Sequence, residues 1–371
     1  MKKVFLLFLV SLTILSGYGQ NSLKVKNTTP HIRKEVVSIP YDNFTRHFKV
    51  DSIFLIKDME GSILPHQLEM CGSNVPQNVL IEVVVNPKST LTLFVSTEKP
   101  PMFLSKTYAR YIPERFDDFA WENNVVAFRL YGKALEGRSD DAQGMDFWAK
   151  RTEDLIINKW YKGENYHKDH GEGLDYYAVG QTLGAGDMAF YYNSELQYTK
   201  HYREFEILDN GPLRTTFRLK FHPERINGNN ISLSKTISLD AGSQFNKITI
   251  AFSNMDAQVM PIVVGVAKRN ETSPEFMVTG KKRTFAYWEP IVGDNGHTGI
   301  ALILPRKKIK FISSKPTQFL FQTTVRDSEA YTYYSGAAWD KAGRFTTAGT
   351  WFDEVKRVAT ILRNPLRVTL E

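Results

Sequence analysis

An all-β fold, a large antiparallel β-sandwich with few helices, is what this chain predicts. Three observations carry that expectation. Apolar and polar residues alternate with a period of two along many segments, Gly, Asn, Asp and Pro punctuate those segments, and helical spacing is scarce. The 24 Phe, 17 Tyr and 6 Trp supply the bulk that a wide sandwich core needs. Cys71 is the one cysteine in 371 residues, so no intrachain disulfide forms and the fold rests on its core.

The first 20 residues read as a secretory signal peptide. Lys2 and Lys3 precede an apolar run from Val4 to Leu15, and small residues follow at Ser16, Gly17 and Gly19. The run is too short for a span of ~20 apolar residues. No cysteine lies near the expected cut at Gly19–Gln20, and no later segment resembles a membrane span. An exported, periplasmic chain without a membrane anchor is expected, with residues 21–371 as one large β domain.

Strand candidates follow in order. Val79–Val85 and Thr90–Val95 flank the turn signal Asn86-Pro87, and Val125–Tyr131 comes next. The polar stretch Lys133–Gly144 reads as a mobile surface loop, and Asp146–Trp160 fits strand and helix equally. In Leu213–Phe221 the residues Leu213, Thr215, Phe217, Leu219 and Phe221 share one face. A long loop, His222–Asn230, joins this strand to the alternating run Ile231–Leu239, giving a hairpin. Asp240-Ala241-Gly242 turns into Phe245–Phe252, and Ile262–Val266 and Gly299–Leu304 complete the strand list. The clearest helix is Trp351–Leu362, capped by Thr350 and Asp353 and stopped by Asn364-Pro365.

The formal charge is +7, with basic runs at Lys281-Lys282-Arg283 and Arg306-Lys307-Lys308. A positive field favours an acidic partner. An exported protein rarely meets nucleic acid, so an acidic polysaccharide is the expected ligand and nucleic acid is not.

Chemistry concentrates between Tyr166 and Gly186, where two histidines, three tyrosines, three acids and five glycines fall in 21 residues. His167 and His170 fit base and acid roles, with Asp169, Glu172 or Asp175 orienting an imidazole and Tyr166, Tyr176 or Tyr177 supplying a phenolic proton. Glycines there would let the backbone approach a ligand. A zinc centre at His167, His170 and Asp175 is the weaker alternative, because glycines break the helix that would bring the imidazoles together. No metal or other cofactor is therefore expected. A second group, Arg115–Asn124 followed by the strand Val125–Tyr131, offers Trp121, Glu122, Asn123 and Arg129 for a sugar, or Asp117, Asp118 and Glu122 as paired carboxylates. Lys150 and Arg151 are candidate clamps for a substrate carboxylate. Tyr333, Tyr334 and Trp339 are candidate floors of a groove.

Three blocks carry a resemblance: Arg115–Asn123 with Ala127–Gly132, His170–Tyr176 through Leu183–Gly186, and Asn210–Thr215. They resemble a Bacteroidota family designated as a domain of unknown function, whose genes lie among those for pectin and ulvan breakdown. One member is associated with dehydration of uronic-acid-containing ulvan oligosaccharides. The strand pattern after Asn210 also resembles the galactose-mutarotase-type supersandwich of polysaccharide lyases. The resemblance implies a carbon–oxygen lyase that eliminates water at C4 of a terminal uronate. The expected roles are His170 or His167 as base, Tyr176 as acid with Asp175 beside it, and Lys150, Arg151 or Arg129 as clamp. Trp121, Glu122, Glu172, Tyr334 and Trp339 would complete substrate binding. Three alternatives stay open: a polysaccharide lyase on the same glycans, with a sugar as leaving group; a glycoside hydrolase using Asp117, Asp118, Glu122 or Glu172; and a non-catalytic glycan-binding protein using Trp121 and Trp339.

Overall fold

The computed structural model describes residues 22–163, 165–253, 259–281, 283–304, 308–327 and 329–371. The leader expected at residues 1–20 and parts of both basic runs lie outside the described residues.

Two sandwiches share the chain, each with its own core. The smaller is built from both ends. A four-stranded sheet orders Arg367–Leu370, Ser22–Lys26, Thr90–Ser96 and Leu55–Asp58, and a three-stranded sheet orders Arg33–Pro40, Asn78–Val85 and His66–Glu69. Their alternating Leu23, Val25, Ile39, Ile81, Val83 and Leu93 close on helix α1, Tyr41–Phe48, through Phe44 and Phe48.

The larger sandwich faces an eight-stranded antiparallel sheet against two five-stranded ones. The eight run in the order Glu204–Asn210, Arg214–Ile226, Asn229–Asp240, Phe245–Ser253, Tyr331–Trp339, Thr298–Ile303, Thr284–Trp288 and Glu275–Thr279. Opposite lie one sheet of Thr107–Ile112, Asp118–Asn123, Ala127–Leu130, Asp146–Lys150 and Gly173–Leu174, and one centred on Val259–Ala267. Period-2 sorting is visible residue by residue. Phe285 and Tyr287 enter the main core, whereas Ala286 and Trp288 face outward under a helix.

Helices cover both outer faces. Helix α2, Ile157–Lys162, packs Ile157 and Trp160 on Ala120, Ala127 and Trp148 of the five-stranded sheet. So the ambiguous stretch Asp146–Trp160 is a strand followed by a helix. Helix α3, Ala348–Arg363, packs Trp351, Val355 and Ala359 on Ala286, Ala301 and Ala338 of the eight-stranded sheet. Small outward residues leave room for large helical ones. Helix α3 begins earlier than expected, with Thr347 rather than Thr350 as N-cap; the two side chains form a reciprocal cap. No helix among the described residues is long and apolar enough to cross a membrane.

Two further expectations need correction. The hairpin loop at 222–230 is nearly all strand. A bulge between Phe221 and Glu224 breaks the apolar alternation, and the turn itself is Asn227-Gly228, both at positive φ (46° and 82°). The loop 133–144 is anchored rather than free. Leu135 and Ala142 are buried in the main core, Asp141 accepts from His201 at 2.7 Å, and Glu136 pairs with Arg203 at 2.7 Å.

Candidate functional site

The outer face of the five-stranded sheet explains most of the charged candidates. Alternation turns Phe119, Trp121, Phe128 and Phe147 inward, so Asp118, Glu122, Arg129, Asp146 and Lys150 point the other way. Helix α2 and its flanking loop cover this row. Arg129 is the hub, with Nε and Nη2 donating to Asp146 Oδ2 at 3.0 and 2.5 Å and Nη2 to Asp175 Oδ2 at 3.1 Å. Asp118 lies 3.5 Å from Nη1. Arg115 donates from Nε to Tyr166 Oη at 3.1 Å beside it.

Three carboxylates around one fully buried cation cannot all stay ionised cheaply. Burial pushes the Asp118 carboxyl up to about 7 against the pull of Arg129 and Arg115. Asp175 is likewise raised by burial and by Asp146. Asp118 Oδ2 and the Tyr161 hydroxyl are buried with no hydrogen-bond partner.

Several sequence candidates are thereby committed to the interior. Lys150 donates to Glu122 at 3.0 Å and to the carbonyls of Asn123 and Asp154. Glu122 also accepts from the Ile156 and Ile157 amides at 2.8 Å, where the positive end of α2 favours an anion. Trp121 is fully buried and donates to Asn246 at 2.7 Å. These three are corrections to the expected sugar-contacting set, since none reaches solvent. Arg129 is corrected with them, because its guanidinium is saturated by carboxylates.

The segment Asp175–Tyr177 touches some of the remaining candidates, His167 and Trp339 among them. Asp175 turns toward Arg129. Tyr176 turns the opposite way, its hydroxyl 2.6 Å from Thr298 Oγ1 and its ring 6.4 Å from that of Trp339. Burial raises the Tyr176 phenol well above its usual range, so it holds its proton at neutral pH. Arg151 lies over the Trp339 ring at 4.8 Å and pairs with Asp169, while Trp339 donates to the Asn295 carbonyl at 2.6 Å. Trp339 is buried, so it seats Arg151 and offers no open face to a sugar. Tyr333 is core; Tyr334 is half-buried in a separate groove.

His167 is exposed and directs Nδ1 at the Asp175 carbonyl, 2.9 Å away, with the Asp175 carboxylate at 3.6 Å. His170 points elsewhere, its Nε2 3.3 Å from the Asn165 carbonyl in a small surface pocket with Lys159 and Glu172. Glu172 is held by Lys159 at 2.6 Å. The two histidines thus work apart. Among the described residues the one ligand-like trio is Glu69, Cys71 and Asp209. Asp209 there accepts from the Met70 and Cys71 amides, and burial pushes the Cys71 thiol up to about 11.

Tyr177 leads to residues that sequence reasoning missed. Arg269 stacks over its ring at 4.5 Å and donates to Glu289 Oε2 at 2.8 Å. Glu289 is buried, its Oε1 lacks a partner, and its carboxyl is pushed up to about 7. His297 faces the Glu289 carbonyl at 2.9 Å. No local motif marks this group; segments just past the ends of separate strands assemble it.

The glycines serve packing more than ligand approach. A side chain at Gly173 (φ +125°) would overlap the Ala149 carbonyl, and one at Gly184 (φ +57°) the Met145 carbonyl.

A family model described as Domain of unknown function (DUF4861) matches residues 25–368. Uncharacterized protein P7 of Formosa agariphila is 31% identical over 339 residues, 86% of this chain and 81% of that protein. An alpha-mannosidase from Enterococcus faecalis V583 is similar in structure at a TM-score of 0.50 and 8% identity, covering 95% of this chain and 46% of the enzyme. A protein in the glycosyl hydrolase family 38 from Enterococcus faecalis gives a TM-score of 0.52 at 8% identity, covering 96% and 48%. The chain spans about half the length of these two proteins, and the likeness is one of fold.

Proposed function

The chain belongs to the family described as Domain of unknown function (DUF4861), and on that footing we propose that it is a carbohydrate-active carbon–oxygen lyase. The proposed substrate is a uronic-acid-containing oligosaccharide of ulvan or pectin type, met in the periplasm after export. The reaction removes water across C4 and C5 of a terminal uronate. A sandwich fold shared with glycoside-processing proteins is consistent with a sugar substrate.

One observation supports the reading above the others. The neighbouring residues Asp175 and Tyr176 link the proposed base, acid and cation through their contacts. Tyr176 carries a protonated phenol, the Asp175 backbone holds His167, and the Tyr176 ring neighbours the Trp339 that seats Arg151.

The chemistry follows from those groups. The C5 hydrogen lies α to a carboxylate and is weakly acidic, so charge building on that carboxylate needs a cation, which Arg151 supplies. His167 takes the C5 proton on Nε2, its Nδ1–H being turned to Asp175. Tyr176 gives its proton to the departing C4 oxygen while Thr298 orients the phenol. The C5–H and C4–O bonds break, the C4=C5 bond forms, and water leaves. The proton on His167 returns to the Tyr176 phenolate through solvent, closing the cycle.

Uronate oligosaccharides from ulvan and pectin, incubated with the protein, are expected to gain ultraviolet absorbance from the conjugated enol ether. Tyr176→Phe should lower kcat about 10²–10⁴-fold, the usual contribution of an acid catalyst. New reducing ends without ultraviolet gain would replace the lyase reading with hydrolysis. No product from any uronate substrate would leave glycan binding.

A further inference from the structure

A broad groove runs between the small sandwich, the outer face of the eight-stranded sheet and helix α3, away from the buried Arg129 network. It has two lobes of ≈ 710 and ≈ 510 Å³ that share Lys34, Gly242, Gln244, Arg344, Glu354 and Arg357. A single-ligand pocket is ordinarily ~300–1,000 Å³, so together the lobes suit an extended ligand. The second lobe reaches Arg151.

Its lining mixes polar and apolar surface in similar amounts and is lopsided in charge. Most of its acids are already neutralised: Glu69 and Asp240 by Arg214, Glu354 by Arg357, and Glu35 by Arg33. Lys34, Lys247 and Arg344 are exposed and carry no ion pair among the described residues. Each comes from a different element: a strand of the small sandwich, the large sheet, and the turn before α3. Between them the sheet offers the hydroxyls of Thr216, Thr236 and Ser238 and the half-buried ring of Tyr334. Spaced cations, hydroxyls and one flat ring are the groups that recognise an anionic sugar chain.

We propose that this groove binds several consecutive residues of an anionic polysaccharide and feeds the chain end toward Arg151. The direction of feeding rests on the lyase reading; the binding does not.

The test uses the full chain and titrates size-graded oligogalacturonates by calorimetry at two salt concentrations. Affinity is expected to rise with chain length beyond the disaccharide and to fall with salt. The double variant Lys247→Glu/Arg344→Glu should weaken binding of the long oligomer about tenfold or more, whereas Lys26→Glu, outside the groove, should not. Lys34→Glu, on the opposite wall, should act in the same direction and guards against a misfolded double variant. Dextran sulfate binding as tightly would make sulfate groups acceptable to the groove alongside carboxylates, still an anionic polysaccharide. Affinity independent of length, equal loss in Lys26→Glu, or tighter binding of single-stranded DNA would overturn the proposal. Length-dependent binding without unsaturated product would sink the lyase reading and leave the groove standing.

Discussion

Glu289 has a carboxyl enclosed by protein, one cation in contact through Arg269, and one oxygen without a partner. Its value of about 7 in the folded protein stands above the ~4.3 of an exposed glutamate. Between those values the folded state holds a proton that the unfolded state has released. Stability therefore falls as pH rises from about 4 to about 7, and Asp118 adds a contribution of the same sign. Glu289→Gln, which fixes the neutral form, should flatten part of that slope. Urea unfolding at pH values of about 5 and 7.5 measures it, and an unchanged slope would place the pH dependence elsewhere. Such residues explain how much of the site the sequence disclosed. Tyr176, His167 and Arg151, the residues proposed for the site, stand out in the sequence because one glycine-rich segment and its neighbour concentrate groups that no core needs. Arg269 and Glu289 do not, since each is unremarkable locally and the pair forms only where the ends of two strands from facing sheets come together.

Strands were readable wherever one face is apolar and the other wet, as in Leu213–Phe221. They were unreadable where a bulge shifts the phase after Phe221, or where a covering element buries the polar face too. The second failure misassigned Lys150 and Glu122, whereas Trp121 points inward and belongs to the main core. A charged residue at an outward strand position looks like a solvent contact until helix α2 is laid over it. The pair Lys150–Glu122 then fastens that helix, since Glu122 accepts from its first amides. Lys150→Met leaves a buried carboxylate without its cation and should cost about 3–5 kcal/mol. The turnover of the folded fraction on uronate oligosaccharides should stay near that of the wild type. Denaturation and activity assays on the same preparation separate the two effects. A variant of native stability with greatly raised KM would restore Lys150 as a substrate contact.

At the scale of the molecule, two cores have to behave as one for the groove between them to keep its shape. The apolar part of the junction is small: Leu80, Leu213 and Ala241, with Val36 against them. Polar contacts add to it. Gln67 accepts from the Leu213 and Arg214 amides at 2.9 Å, and Asp209 binds the Met70 and Cys71 amides. The central contact is Arg214, which joins Glu69 of the small sandwich at 3.0 Å to Asp240 of the large sheet at 2.5 Å. Glu69 is buried, so removing Arg214 strands a carboxylate at the seam as well as cutting the link. Coupling of two folding units depends on the free energy of their interface, and a junction with so little apolar area cannot absorb a loss of several kcal/mol. Arg214→Gln should therefore convert a single calorimetric transition into two. The lower would belong to the small sandwich, whose edge strand Arg367–Leu370 comes from the opposite end of the chain. Hydrogen exchange near the lower midpoint should then appear in residues 22–96 and 367–370 before the main core. A single transition at an unshifted midpoint would mean that the apolar contacts hold the two sandwiches together without Arg214.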